Sequence, residues 1–204
     1  MEELKKAPVT VALMMLNAIV FLWVEVTGGS QDTLHMVKCG AAFAPLIESG
    51  EVYRLFTCMF LHFGMAHLAN NMLVLLVLGQ RLEPVVGKMR FLIIYLVGGL
   101  GGNIFSFLLA LGKEEYAVSA GASGAVFAVM GAMIYILVRN RGRIQDLSAR
   151  QIIIMAAFSL YFGFTSSGVD NAAHVGGMFC GFIVSVLLYH PRRTFPRKIR
   201  KVEP

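Results

Sequence analysis

The sequence predicts an all-α polytopic membrane protein, a bundle of six transmembrane helices forming a single domain over residues 1–204. Three observations predict it. The chain is 57% hydrophobic and only 15% charged, with a mean hydropathy of +0.69, whereas a soluble domain carries about 25% charged residues. The charges are segregated, so that long stretches hold none. Six apolar runs approach the roughly 20 residues that a membrane-crossing helix needs.

The first run, 8–26, follows Lys5 and Lys6. It is long for a secretory signal and lacks a clear small-x-small cleavage pattern at its end, so it reads as a helix of the mature chain. The connection 27–65 contains AFAPLIESGEVYRLFTCMFLHFG. That composition suits neither a linker nor a water-exposed loop, and it predicts an interfacial segment partly buried against the helices. The remaining runs are 66–82, 90–111, 121–138, 151–166 and 171–190. The tail 191–204, PRRTFPRKIRKVEP, reads as a solvated basic anchor at the lipid headgroups.

Orientation follows from Lys and Arg in the connections. One set of flanks holds Lys5, Lys6, Arg81, Lys88, Arg90, Arg139, Arg141, Arg143, Arg150 and the tail; the other holds only Lys38, Arg54 and Lys113. The sets alternate as six crossings require, which places both termini in the cytoplasm. The net charge of +6 therefore faces membrane lipid, and no nucleic-acid partner is expected. Cys39, Cys58 and Cys180 show no metal spacing, and their odd number excludes a fully paired disulfide framework. They read as apolar filler, and no metal or cofactor is expected.

Polar groups inside a bilayer are costly, which makes each a functional candidate. The second run begins HLANN, with His67, Asn70 and Asn71; the fourth begins GASG, with Ser123; the sixth begins DNAAH, with Asp170, Asn171 and His174. All three run from outside to inside, so these groups converge on the outer half. Ser123 to Val138 makes roughly 24 Å of helix, against a hydrocarbon core of about 30 Å. Ser123 thus lies below the outer surface, and the preceding KEEYAVSAGA must dip inward as irregular backbone. Such backbone is tolerated only in protein or beside a water-filled cavity.

The helix faces agree with that convergence. His174, Gly177 and Gly181 share one side of the sixth helix, and Gly124, Ala128 and Gly131 one side of the fourth. Gly177 and Gly181 form a GxxxG pair that permits close approach, bringing the imidazole of His174 toward Ser123. A serine needs such a base to act as a nucleophile. An acyl-transfer oxyanion needs donors, and the helix N-terminus at Ser123 supplies unpaired N–H groups. His67 and Asn71, at i and i+4, can add side-chain donors.

These motifs resemble the rhomboid family: HxxxN (His67–Asn71), GxSG (Gly121–Gly124) and AHxxGxxxG (Ala173–Gly181), with an upstream YRLFTCMFLH similar to the family's Trp-Arg segment. GxSG alone is weak; the combination across three helices is specific, and it covers essentially the whole chain. The resemblance implies a rhomboid-like bundle and an intramembrane serine endopeptidase. Ser123 would be nucleophile and His174 base, a dyad without an acidic third member, and His67, Asn71 and the Ser123 N–H would form the oxyanion hole. It implies supporting roles for Gly121, Gly124, Asn171, Gly177 and Gly181, and matches Phe127 to a tyrosine that packs on the catalytic histidine. Arg54 and Glu83 match the first-loop arginine and the second-helix glutamate. Tyr53 stands where tryptophan is usual, and Phe127 lacks the phenolic hydroxyl. Substrates would be transmembrane proteins reaching the site laterally from the lipid, and by analogy the membrane would be a bacterial inner membrane.

Blander readings stand beside these. Ser123 can be a packing residue, His174 a core histidine, and His67 with Asn71 a cap for the second helix. Asp170 reads as an N-cap of the sixth helix rather than a triad acid. His35, His62 and His190 show no partner pattern and receive no role, and Ser119 lacks the glycine frame of Ser123. An inactive relative and a small transporter remain as alternative functions; the second would show matched, broken halves, and no such symmetry is visible.

Overall fold

The computed structural model describes residues 6–113, 116–140, 143–144, 147–165 and 168–189. Lys5, Arg141, His190 and the basic tail 191–204 lie outside the described residues. Helix α1 is Pro8–Thr27, opened by proline at its first position, where a missing N–H costs nothing. Its N-terminal donors are capped from another helix: the buried Glu83 carboxylate accepts from Val9 N (3.0 Å), Thr10 N (2.8 Å) and Thr10 Oγ1 (2.8 Å).

The connection to the next long helix is ordered. It holds α2 (Thr33–Lys38), capped by Asp32; α3 (Ala44–Glu48); α4 (Arg54–Thr57); and a 3-10 turn at Cys58–Phe60. Val24, Met36, Ala41 and Leu61 form a small buried cluster beneath it. Arg54 is buried at its centre, donating to Val37 O, Ala41 O (3.0 Å) and Glu51 Oε2 (2.7 Å). Tyr53 OH donates to the same Glu51 oxygen (2.8 Å). These two bonds, Tyr53 first, hold the Glu51 carboxyl below its ordinary range.

Helix α5 (Gly64–Val86) follows an 89° bend after Arg54–Phe60. It is longer than the expected 66–82 at both ends. After it come α6 (Lys88–Ala110), α7 (Ser123–Arg139), a two-residue antiparallel pair of β1 (Arg143–Ile144) and β2 (Leu147–Ser148), α8 (Ala149–Thr165) and α9 (Asn171–Leu188). The hairpin is a small departure from an all-α expectation; the chain is otherwise mostly helical. By length and apolarity α1, α6 and α9 are each able to cross a membrane, and α5 qualifies together with the bent segment before it; α7 and part of α8 are shorter apolar helices.

The tightest packing joins α6, α7 and α9, and glycines make it possible. A Cβ on Gly177 would overlap Gly124 O, one on Gly181 would overlap Ala128 O, and one on Gly131 would overlap Met178 O. Gly102 of α6 brings its backbone against Ala173 O and Gly177 N. Helix α7 is buried without a break from Gly124 to Met133, and a helix apolar all round is one that sits inside a core. Its far end is tied to α9, where Asn140 Nδ2 donates to Tyr189 OH (2.9 Å).

Candidate active site

Residues 116–122 reach Ser123 as irregular backbone, pinned on three sides. Ser119 and Ala42 exchange backbone hydrogen bonds (2.8 and 2.9 Å), Gly121 N donates to Cys58 O (2.9 Å), and Ala122 N donates to His62 Nε2 (3.3 Å). Ser123 is the first residue of α7, so the amides of this first turn point outward without helical partners, at the positive end of the helix dipole. Gly121 is required here: its φ is +150°, and a Cβ would lie 2.8 Å from His67 Cε1 and 3.6 Å from Ser123 Oγ. The glycine lets the His67 ring come up beside the serine.

A cavity of about 730 Å³ opens above this turn, lined by Ser123, His174, His67, Asn71, Asn70 and Phe127 among others. The candidates from α5, α7 and α9 thus share one chamber. His174 is buried, and its ring stacks on Phe127 at 4.3 Å between centroids and 10° between planes. Phe127 sits one turn below Ser123, so the stack fixes the imidazole over the serine-bearing helix. No hydrogen bond joins Ser123 Oγ to His174 among the described residues; such bonds are often long until a substrate tightens them. Asn71 is buried and donates one amide hydrogen to His67 O (3.1 Å). Its second donor stays available to the chamber.

Of the other expected residues, Gly124 and Asp170 also border the chamber, while Arg54, Glu83, Asn171, Gly177 and Gly181 lie outside its lining. Arg54 orders the first loop and Glu83 caps α1. Asn171 borders a neighbouring cavity of about 390 Å³, with its Oδ1 buried and unpaired among the described residues. Gly124, Gly177 and Gly181 act at the α7–α9 contact. Asp170 caps α9, accepting from Ala173 N (2.9 Å); His174 Nδ1 has no partner among the described residues, so Asp170 does not orient it directly.

Two assignments need correction. His62, given no role from the sequence, is buried, holds the Ala122 amide, and packs edge-on against His67 with centroids 5.2 Å apart. Its partner is a backbone amide, which no side-chain pattern reveals. Cys58 is more than filler: its sulfur accepts from Asn103 Nδ2 (3.1 Å), which also donates to Leu55 O (2.8 Å). Asn103 lines the chamber from the middle of α6, away from the helix ends where the other polar candidates lie. As a polar residue in mid-span it carried the same signal.

Comparison with known proteins gives the family. The rhomboid domain model matches residues 49–191. The chain is 39% identical to the rhomboid protease GluP of Bacillus subtilis over 187 residues, 92% of this chain and 36% of that protein. It is 40% identical to RHOMBOID-like protein 5 of Arabidopsis thaliana over 168 residues, 81% of this chain and 53% of that protein. Against the putative rhomboid protease YdcA of Bacillus subtilis the identity is 30%, covering 88% of each. The chain therefore spans about a third to a half of the length of the first two relatives. With its apolar helices it is an integral membrane protein, and it belongs to the rhomboid family.

Proposed function

We propose that this chain is a serine endopeptidase that cleaves peptide bonds in or beside transmembrane segments. The observation that carries the reading is the chamber in which Ser123, His174, His67 and Asn71 meet, with the imidazole stacked on Phe127. His174 takes the Ser123 proton as Oγ attacks the scissile carbonyl, then delivers it to the leaving amine. The oxyanion is held by the Ser123 N–H with His67 and Asn71 donors. Water then attacks the acyl-enzyme, with His174 again as base, and releases the new carboxylate. No cofactor takes part.

In this reading α1 and α5 to α9, the shorter α7 and α8 included, make six membrane spans, with both termini cytoplasmic and the chamber open to the outer side of a bacterial inner membrane. Substrate reaches the chamber laterally between α5 and α8. Val74 of α5 and Phe158 and Ser159 of α8 border the cavity, while α8 packs chiefly on α7. A helix hides its carbonyls in hydrogen bonds, so substrates that unwind readily, with small residues near the cut, suit this site.

Fluorophosphonate labelling tests the proposal, alongside co-expression with single-span reporter proteins. The wild type is expected to label and to cut; Ser123→Ala is expected to do neither, and His174→Ala to lose cutting. Equal labelling of Ser123→Ala, or a wild type that neither labels nor cuts, would leave an inactive client-binding relative as the better reading.

A further inference from the structure

Asp170 does more than close the first turn of α9. Its Oδ1 accepts from Ala173 N (2.9 Å) and Ser106 Oγ (2.8 Å), and its Oδ2 from Ser119 Oγ (2.8 Å) and Ser106 Oγ (2.7 Å). Its backbone carbonyl accepts from His174 N (3.2 Å). Ser106 belongs to α6, Ser119 to the irregular segment four residues before Ser123, and Asp170 stands four residues before His174. One carboxylate therefore joins three separate parts of the chain at the wall between the two cavities.

An N-cap needs only one acceptor, and serine, threonine or asparagine would provide it. The bonds from Ser106 and Ser119 are extra, and accepting all three donors calls for two oxygens at once. Hydrogen bonds to an ionised acceptor are shorter and stronger than neutral ones. The opposite side of the Ser119 segment is already held by Ala42. We propose that Asp170 is a positioning residue that tethers the approach to Ser123 to the start of the His174 helix, and so sets the separation of the two reacting groups. This rests on the proposed protease reading.

The experiment compares Asp170→Ser, which keeps a cap acceptor but cannot reach both serines, with wild type, using the full chain. Three readouts are taken: the fluorophosphonate labelling rate, kcat and KM on a transmembrane reporter, and amide hydrogen exchange across 116–122. The expected result is faster exchange in 116–122, with α9 still protected, and labelling and kcat lowered about tenfold at unchanged KM. Wild-type exchange in 116–122, or wild-type labelling and kcat, overturns the tether. If Asp170→Ser does not fold, Ser119→Ala removes only the loop bond; it should raise exchange and slow labelling several-fold, and no change in either also overturns the tether. A wild type that fails to label while the variant's exchange still rises refutes the protease reading and leaves the tether standing.

Discussion

Gly102→Ala probes how finely the helix contact sets the site. The added Cβ would lie 2.5 Å from Ala173 O and 2.9 Å from Gly177 N, where ordinary contact begins near 3.4 Å. Both are backbone atoms and cannot rotate aside, so α6 and α9 must separate by about 0.9 Å at the residue preceding His174. Overpacking of this kind costs about 1–3 kcal/mol. A displacement of about 1 Å at reacting groups can cost roughly a hundredfold in rate; if α6 and α9 share the movement, the loss is nearer tenfold. Gly101→Ala serves as the milder control, because its Cβ meets only the Cys180 side chain, at 2.6 Å from the sulfur and 3.1 Å from its Cβ; the thiol can turn away, and the remaining contact asks for a shift of only a few tenths of an ångström. Thermal unfolding and reporter cleavage in the same detergent read both effects. Gly102→Ala with wild-type melting and a wild-type rate would show that the helix spacing does not control the chemistry.

Phe127→Ala removes the ring under His174 and should lower kcat about tenfold, given that an aromatic stack holds about 0.5–1.5 kcal/mol beyond its buried area; Phe127→Tyr should keep the wild-type rate, and steady-state kinetics decide. His62→Phe keeps the volume but leaves the Ala122 amide unpaired, which should cost about 1–3 kcal/mol and slow fluorophosphonate labelling. Glu83→Ala strips three donors of α1 of their acceptor, so a stability loss of about 3 kcal/mol or more is expected, visible in denaturant unfolding with little change in the kcat of the folded fraction. Arg54→Met should open the 28–63 loop to limited proteolysis. Acid acts in the same direction: the folded Glu51 pKa lies below its unfolded value, so its contribution is present at neutral pH and fades as pH falls through the folded value.

The positions of the long helices were legible because apolar runs and the residues that interrupt them differ sharply in a chain this poor in charge. The convergence of Ser123, His174, His67 and Asn71 was legible for a related reason. Polar residues at three helix starts had few reasons to be there, and the glycines at 124, 177 and 181 marked where backbones touch. What stayed hidden were partnerships with main-chain atoms. His62 holds Ala122 N, Arg54 gathers Val37 O and Ala41 O, and Glu83 caps α1; a carbonyl or amide has no sequence signature. The end of α5 was missed for another reason: Arg81, Glu83 and Pro84 lower its apolarity, yet Leu82, Glu83 and Val86 are all buried.

The burial of α7 from Gly124 to Met133 separates the helix that carries Ser123 from the lipid-facing surface. A bilayer that thickens or thins presses on the outward surfaces of α1, α6 and α9, which expose residues such as Leu22, Leu108 and Leu187, and these tilt or are wetted to compensate. A rod jacketed by its neighbours over that stretch, with only its Val138–Arg139 end exposed, feels little of that load directly. The height of Ser123 is thus referenced to the protein's interior, and the same arrangement of the chamber can be carried into membranes of different thickness.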